Sequence, residues 1–194
     1  MVYSITKNGS PLDKSLYTID EDKNIFASDE NDLILDFNEL DRWTFITGSW
    51  CKFKTGSSCK FKTGSSCQFE TSFGCQFETC FGCRFETGSW CQFETGFGCQ
   101  FETGFGCRFE TDSGCQFKTG PNCKFETGSG CQFETDENCI ITRRDTNEVI
   151  ELVKGQKIKL NETGVKGFMI INENENENEN ENDKIKSKKT NTTK

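Results

Sequence analysis

The residues best suited to chemistry in this 194-residue sequence are its thirteen cysteines. Twelve of them recur every eight residues from Cys51 to Cys139, and Cys80 alone is out of phase. Zinc-binding cysteines usually come in close pairs such as Cys-x2-Cys, and Cys80 with Cys83 is the one pair of this kind. A thiol-based metal-binding or redox protein is therefore one hypothesis. The regular spacing favours buried thiols instead, because free cysteine packs as a small hydrophobe, so we predict no metal site.

The sequence contains no histidine. Histidine is the commonest general base and the commonest metal ligand among side chains. A cysteine nucleophile would lack the usual partner that deprotonates it. We therefore expect no catalytic residues, no cofactor and no enzymatic activity.

An eight-residue unit, Cys-x-Phe-x-Thr-Gly-x-x, organises the sequence from Cys51 to Cys139, and an earlier copy begins at Trp43. Cysteine, phenylalanine and threonine alternate with charged or amide side chains, which is the period of a strand with one buried face. Glycine in the sixth place is expected to supply the positive φ of a tight turn. Aspartate is a better substitute than serine or cysteine in such a turn, and four copies replace the glycine: Ser72, Cys80, Asp112 and Asp136.

The length of one octad indicates how the chain folds. A five-residue strand spans about 16 Å at roughly 3.3 Å per residue, whereas the other three residues reach only about 10 Å when stretched. One copy cannot close a coil, so two copies, or else three, are needed. An antiparallel meander is the alternative, but its Phe and Cys face would have no second layer to cover it. We predict an all-β fold, a β-solenoid with two octads per coil.

The sequence divides into four parts. Residues 1–42 are predicted to form an N-terminal cap, 43–138 the octapeptide-repeat solenoid and 139–171 a C-terminal β cap, because a solenoid must cover the strand edges at its ends. Residues 172–194 alternate Asn and Glu and then become rich in Lys. They have too few apolar side chains for a core, so we predict a disordered tail.

Glutamates in the fourth place of the octad are candidate surface features. With two octads per coil they stack on two opposite faces. One face is predicted to carry Glu70, Glu86 and Glu102, and the other Glu78, Glu94, Glu110 and Glu126. Stacked like charges destabilise a sheet, so these acidic stripes are either a solvated face that blocks aggregation or a binding site for cations or basic proteins.

Aromatic residues in the turns are the best candidates for an interaction site. Exposed aromatic patches often mark protein contacts. The alternative is that the rings stack on each other and clamp the turns. The coil is predicted to carry two sets, Phe73, Trp90 and Phe105 on one edge and Phe81 and Phe97 on the other.

Composition limits the partners. The net charge is −8, whereas nucleic-acid binding proteins cluster basic residues on one surface, so we expect no specific nucleic-acid binding. No apolar run approaches the roughly 18 residues of a membrane span. The first residues lack the apolar segment of a secretory signal, so we expect an intracellular protein with reduced thiols.

The octad and the stretch from Cys139 to Ile171 resemble an uncharacterised family of tandem Cys-x-Phe-x-Thr-Gly proteins of phages and large DNA viruses. The resemblance covers about residues 43–171 and implies a virus-encoded repeat protein, without an assigned activity, in the host cytoplasm or the virion. We therefore favour a non-enzymatic structural or protein-interaction protein. Its partner is expected to be another protein or a second copy of itself.

Overall fold

The structure, a computed structural model, describes residues 3–38 and 40–171. The predicted disordered tail, 172–194, lies outside the described residues. Within them the regular structure is β-strand apart from one short 3-10 helix at Lys14–Leu16. In chain order the strands are β1 (Ser4–Lys7), β2 (Ser10–Pro11), β3 (Thr18–Asp20), β4 (Ile25–Ala27), β5 (Leu33–Phe37), β6 (Thr44–Thr47), β7 (Lys52–Thr55), β8 (Lys60–Thr63), β9 (Gln68–Thr71), β10 (Gln76–Thr79), β11 (Arg84–Thr87), β12 (Gln92–Thr95), β13 (Gln100–Thr103), β14 (Arg108–Thr111), β15 (Gln116–Thr119), β16 (Lys124–Thr127), β17 (Gln132–Thr135), β18 (Cys139–Arg143), β19 (Glu148–Leu152), β20 (Lys157–Leu160) and β21 (Phe168–Ile170).

The chain winds into a β-solenoid with two octads per coil, so the predicted fold class is confirmed. Sheet A has the order β2-β1-β5-β7-β9-β11-β13-β15-β17-β20-β21, and sheet B has the order β19-β18-β16-β14-β12-β10-β8-β6-β4-β3. Successive octads alternate between the sheets, and repeat strands pair in parallel. Phe85, for example, is in register with Phe69 and Phe101. This register excludes both the meander and a coil of three octads.

Phenylalanines in the third place fill the interior. Within sheet A the rings of Phe85 and Phe101 stack with centroids 4.9 Å apart and planes within 3°, and Phe77 and Phe93 do the same in sheet B. Between the sheets, Phe85 and Phe93 meet edge to face at 5.1 Å and 75°. Aromatic quadrupoles favour both geometries. Because the contacts repeat at every octad, consecutive octads are equivalent after a half turn about the solenoid axis.

The expectation that sixth-place glycine supplies the positive φ is wrong. Positive φ occurs in the eighth place, where all twelve turns from Trp50 to Asn138 have φ between 57° and 71°. The sixth-place glycines lie close against the preceding coil instead. A Cβ on Gly104 would lie 2.3 Å from Ser89 Oγ and 2.9 Å from the Ser89 nitrogen in the preceding coil. A positive φ is therefore not required of the four residues that replace the sixth-place glycine, Ser72, Cys80, Asp112 and Asp136.

Short antiparallel strands close the N-terminal end. The strand that leads into the repeat, β5, pairs in parallel with β7 and antiparallel with β1. Phe37 packs on Trp43 with ring centroids 5.1 Å apart, and Tyr3 stacks on Phe37. Pro11 lies in the outermost strand of sheet A. Because proline has no N–H, it blunts this edge against further pairing.

Two antiparallel hairpins and a buried arginine close the C-terminal end. Strand β18 continues sheet B and pairs with β19, while β20 pairs with β17 and β21. Arg143 takes the inward place that threonine holds in the octads, next to Thr127, and is fully buried. Its guanidinium donates to Asp145 Oδ2 at 2.7 Å and to the carbonyl oxygens of Val165 and Gly167 at 2.7 and 3.2 Å. The loop 161–167 is thereby held over the end of the interior.

Candidate functional site: the aromatic edges

The turns between the sheets form two edges that run along the solenoid. The A-to-B edge consists of turns that leave sheet A, at 56–58, 72–74, 88–90, 104–106, 120–122 and 136–138, and the B-to-A edge of turns that leave sheet B, at 48–50, 64–66, 80–82, 96–98, 112–114 and 128–130. On the first edge the Trp90 N–H donates to Phe105 O at 3.0 Å, and on the second the Gly82 N–H donates to Phe97 O at 3.0 Å. Because the backbone ladder continues through the turns, it holds the edge side chains on a rigid frame.

The A-to-B edge carries Phe73, Trp90 and Phe105 on three consecutive coils. All three side chains are exposed, and Trp90 is the most exposed at 60%. The Trp90 and Phe105 rings meet edge to face with centroids 5.3 Å apart. The Trp90 ring also lies over Gly106, where an added Cβ would come within 2.8 Å of it. The patch is therefore packed on its inner side and open to solvent on its outer side.

The B-to-A edge carries Phe81 and Phe97, whose exposed rings stack with centroids 5.1 Å apart and planes within 7°. Trp50, which is missing from the candidates named above, lies on the same edge and is 61% exposed. Alignment of the octads could have revealed it, because Trp50 and Trp90 both directly precede a repeat cysteine. Ring stacking supports the turns here, as the clamp hypothesis requires, yet much of each ring stays available to a partner.

Tryptophan in the eighth place is unfavourable for the backbone. Trp50 and Trp90 have φ of 63° and 62°, in the left-handed region that costs a residue other than glycine roughly 1–2 kcal/mol. Glycine or asparagine fills this place in eight of the twelve turns. Turn stability alone would not select tryptophan, which favours a role in contact with another molecule.

The edges differ from the faces in charge. In the twelve three-residue turns only Asp112, Asp136 and Glu137 are charged, whereas each of the eleven strands from β7 to β17 carries at least one charged side chain. The edges are therefore nearly uncharged strips between two charged faces. Protein contacts are depleted of charge at their centre and enriched in aromatic residues, and the edges have this composition.

The glutamates of the fourth place form columns on the two faces, and all of them are exposed except the half-buried Glu126. The end members of the sheet A column pair with lysines, Glu70 with Lys54 at 3.0 Å and Glu102 with Lys118 at 2.9 Å. Exposed pairs of this kind contribute little to stability, and they fit a solvated face. The columns are Glu70, Glu86 and Glu102 on sheet A and Glu78, Glu94, Glu110 and Glu126 on sheet B.

All thirteen cysteines are free thiols, twelve of them buried and only Cys80 exposed. The buried thiols donate weakly to carbonyl oxygens of the preceding coil, as Cys99 does to Cys80 O at 3.6 Å. The structure does not bring the thiols of Cys80 and Cys83 to one site, because Cys83 points inward to Gly64 O at 3.6 Å. Among the described residues, no group of three or more Cys, Asp or Glu side chains could hold a metal ion.

The buried thiol of Cys115 is also a poor nucleophile. A hydrogen bond with the neighbouring Cys131 thiol, together with burial, raises the pKa of Cys115 to about 11. The thiolate is the reactive form of cysteine, so a thiol with this pKa is neutral and unreactive near pH 7. The Cys115 side chain therefore serves as packing, in line with the burial that it shares with the other eleven repeat cysteines.

Comparisons with protein-family models, with curated proteins and with solved structures find no match to this chain. The part of the chain that the structure describes has no helix with the length and apolar character needed to cross a membrane.

Proposed function

We propose that this protein is a non-enzymatic structural repeat protein that binds protein partners through its aromatic edges. The observation that carries the proposal is the run of five consecutive turns, from Phe73 to Phe105, that each present an exposed aromatic ring on a nearly uncharged edge. Tryptophan and other aromatic side chains dominate the energetic centres of protein contacts. The backbone ladder beneath these rings lowers the entropy lost on binding, because the turns are already ordered.

The two faces support this function in a different way. Their outward second and fourth places carry lysine, arginine, glutamine and glutamate, and mixed charge on a β surface discourages unspecific pairing. Contacts are thereby directed to the edges. We also propose a reducing compartment, such as the host cytoplasm or a virus particle, because all the cysteines are free thiols and thiols persist where glutathione keeps them reduced.

The test is capture of a partner with matched variants. Phe73→Ser, Trp90→Ser and Phe105→Ser are combined to remove the A-to-B patch, and Gln68→Ser, Gln100→Ser and Gln116→Ser form a control of equal size on the sheet A face. We expect the wild type and the control to bind the same purified partner saturably. The edge variant should keep β-sheet circular dichroism and lose that binding.

Two results would overturn the proposal. One is an edge variant that stays folded and binds the partner as the wild type does. The other is a wild type for which no saturable protein contact exists. If the edge variant unfolds, the single variant Trp90→Gly, which relieves the left-handed strain, replaces it in the same assay.

A further inference from the structure

The aromatic patches lie on opposite sides of the same stretch of solenoid. Along the chain the aromatic turns alternate between the edges in the order Phe73, Phe81, Trp90, Phe97 and Phe105. Two layers separate Phe73 from Phe105, so both patches share one belt about 10 Å tall at roughly 4.8 Å per layer. A single partner would need one side only. Patches on two opposite sides fit a contact that each molecule makes twice.

The charged columns border the two edges in a complementary way. In each repeat strand the second place lies next to the preceding turn and the fourth place next to the following turn. On sheet B, Arg108 and Lys124 therefore border the A-to-B edge, whereas Glu110 and Glu126 border the B-to-A edge. Two molecules that lie side by side in the same direction bring these basic and acidic borders together at the same height.

We propose that the protein assembles with itself side by side, with the solenoid axes parallel and the A-to-B edge of one copy on the B-to-A edge of the next. The contact is head to tail in the sense that two different surfaces of the same protein meet. This inference rests on the proposed function, since it names a second copy as the partner of the aromatic edges. The Trp90 patch packs on the stacked pair of Phe81 and Phe97. On sheet A the acidic border at Glu86 meets Arg84 of the next copy. Because the two surfaces differ and lie on opposite sides, the contact does not close and copies add in a row.

The same charges oppose an antiparallel contact between two identical edges. That arrangement would place Glu70, Glu86 and Glu102 of one copy beside the same column of the other, and neighbouring like charges destabilise. The belt is small, so each contact belongs to the weak class that buries less than about 1,200 Å² in total. Assembly should therefore grow with protein concentration and weaken with salt, which screens the bordering charges.

Two variants that each lack one edge test the proposal in sedimentation velocity, from micromolar to sub-millimolar concentration. The first combines Phe73→Ser, Trp90→Ser and Phe105→Ser, and the second combines Phe81→Ser and Phe97→Ser. We expect the wild type to form a concentration-dependent series of oligomers and each variant alone to be monomeric. An equimolar mixture should form a one-to-one complex, because each variant keeps the edge that the other lacks.

A charge reversal tests the direction of the contact. Arg108→Glu with Lys124→Glu should weaken wild-type association at low salt. Mixing this variant with one that carries Glu110→Lys and Glu126→Lys should restore association, because opposite charges again face each other. Reversals without effect would overturn the parallel arrangement.

Three results would overturn head-to-tail assembly itself: a wild type that is monomeric at every concentration, a single-edge variant that self-associates, or a folded pair of variants that does not form a complex. Circular dichroism of each variant establishes that it is folded before it is scored. A monomeric wild type that still binds a different protein through the same rings would reject self-assembly and leave the proposed function intact.

Discussion

The octads and the C-terminal cap fill the fifth place of the octad, which points into the coil, with different kinds of side chain. In the octads this place is threonine, and the buried Thr127 hydroxyl donates to the adjacent Gly128 carbonyl at 3.3 Å. One coil further on, the place is taken by Arg143. Its guanidinium bonds to Asp145 and to four carbonyl oxygens of the loop 161–167. Threonine leaves room for another coil, whereas a buried charge requires a loop that satisfies it. The solenoid therefore ends where Arg143 replaces threonine and the loop 161–167 accepts the hydrogen bonds of its guanidinium.

Arg143→Met is expected to cause the largest loss in the free energy of unfolding. It leaves Asp145 and the loop carbonyls without their buried donor, and breaking a buried pair of this kind costs about 3–5 kcal/mol. The control is Arg144→Met, because Arg144 is a neighbouring arginine whose ion pairs with Glu110 and Asp112 are exposed. Urea unfolding of both variants measures the difference. Equal loss of stability in the two would show that the buried arginine does not close the solenoid.

Glycine replacements should distinguish the sixth place of the octad, which is crowded, from the eighth place, where the backbone φ is strained. Gly104→Ala puts a Cβ against Ser89 of the preceding coil, and overpacking of this kind costs about 1–3 kcal/mol. Gly98→Ala has nothing within 4 Å of its new Cβ but keeps a φ of 67°, which costs roughly 1–2 kcal/mol. Gly98→Asn should recover part of its loss, since asparagine tolerates left-handed φ, and Gly104→Asn should recover none. Thermal unfolding of the four variants tests both assignments, and the opposite pattern of rescue would reverse them.

Acid should loosen the cap before the octads. Burial acts to raise the pKa of Asp145, but hydrogen bonds from Arg143 and from the Gly164 N–H outweigh it and hold this pKa below its usual range. Because the folded pKa lies below the unfolded one, this stabilisation is present above the unfolded value of about 4 and is lost as the pH falls through the folded value. The melting-temperature difference between the wild type and Asp145→Asn should shrink as the pH falls through this window. A difference that stays constant would show that Asp145 does not supply the dependence.

The smallest change in stability is expected at the exposed edge. Trp90→Gly removes the edge-to-face contact with Phe105, worth about 0.5–1.5 kcal/mol, and also relieves a left-handed φ that costs roughly 1–2 kcal/mol. The two effects nearly cancel, so the midpoint of thermal unfolding should hardly move. A large drop would favour the turn clamp over the contact surface.

The repeating strands could be predicted from the sequence in detail, whereas the caps could be predicted only as β segments at the two ends. Strand phase and the need for more than one octad per coil follow from spacing and chain length, whereas the parallel register of Phe85 with Phe69 and Phe101 decides between two octads and three. The role of the turn glycines does not follow from the sequence, because both the sixth and the eighth places are rich in glycine. Only the backbone φ of the eighth place and the approach of the preceding coil at Gly104 separate strain from crowding. Arg143 shares the inward phase of Cys139 and Ile141, yet its partners lie in a loop with no pattern of its own. Trp50 and Trp90 stand in the eighth place, where only the backbone φ reveals their cost.

The half-turn equivalence of consecutive octads has a consequence for the gene. One octad corresponds to eight codons, and replication slippage across near-identical repeats adds or removes whole units without shifting the reading frame. Since the first strands of the C-terminal cap pair, among the octads, only with the coil beneath them, an array one octad longer or shorter offers the cap the same strand edges, rotated by half a turn. Each such change alters the height by about half a layer, roughly 2.4 Å. The parity of the copy number then decides on which side of the solenoid the C-terminal cap emerges, so a replication error can reorient one end of the protein without disturbing its core.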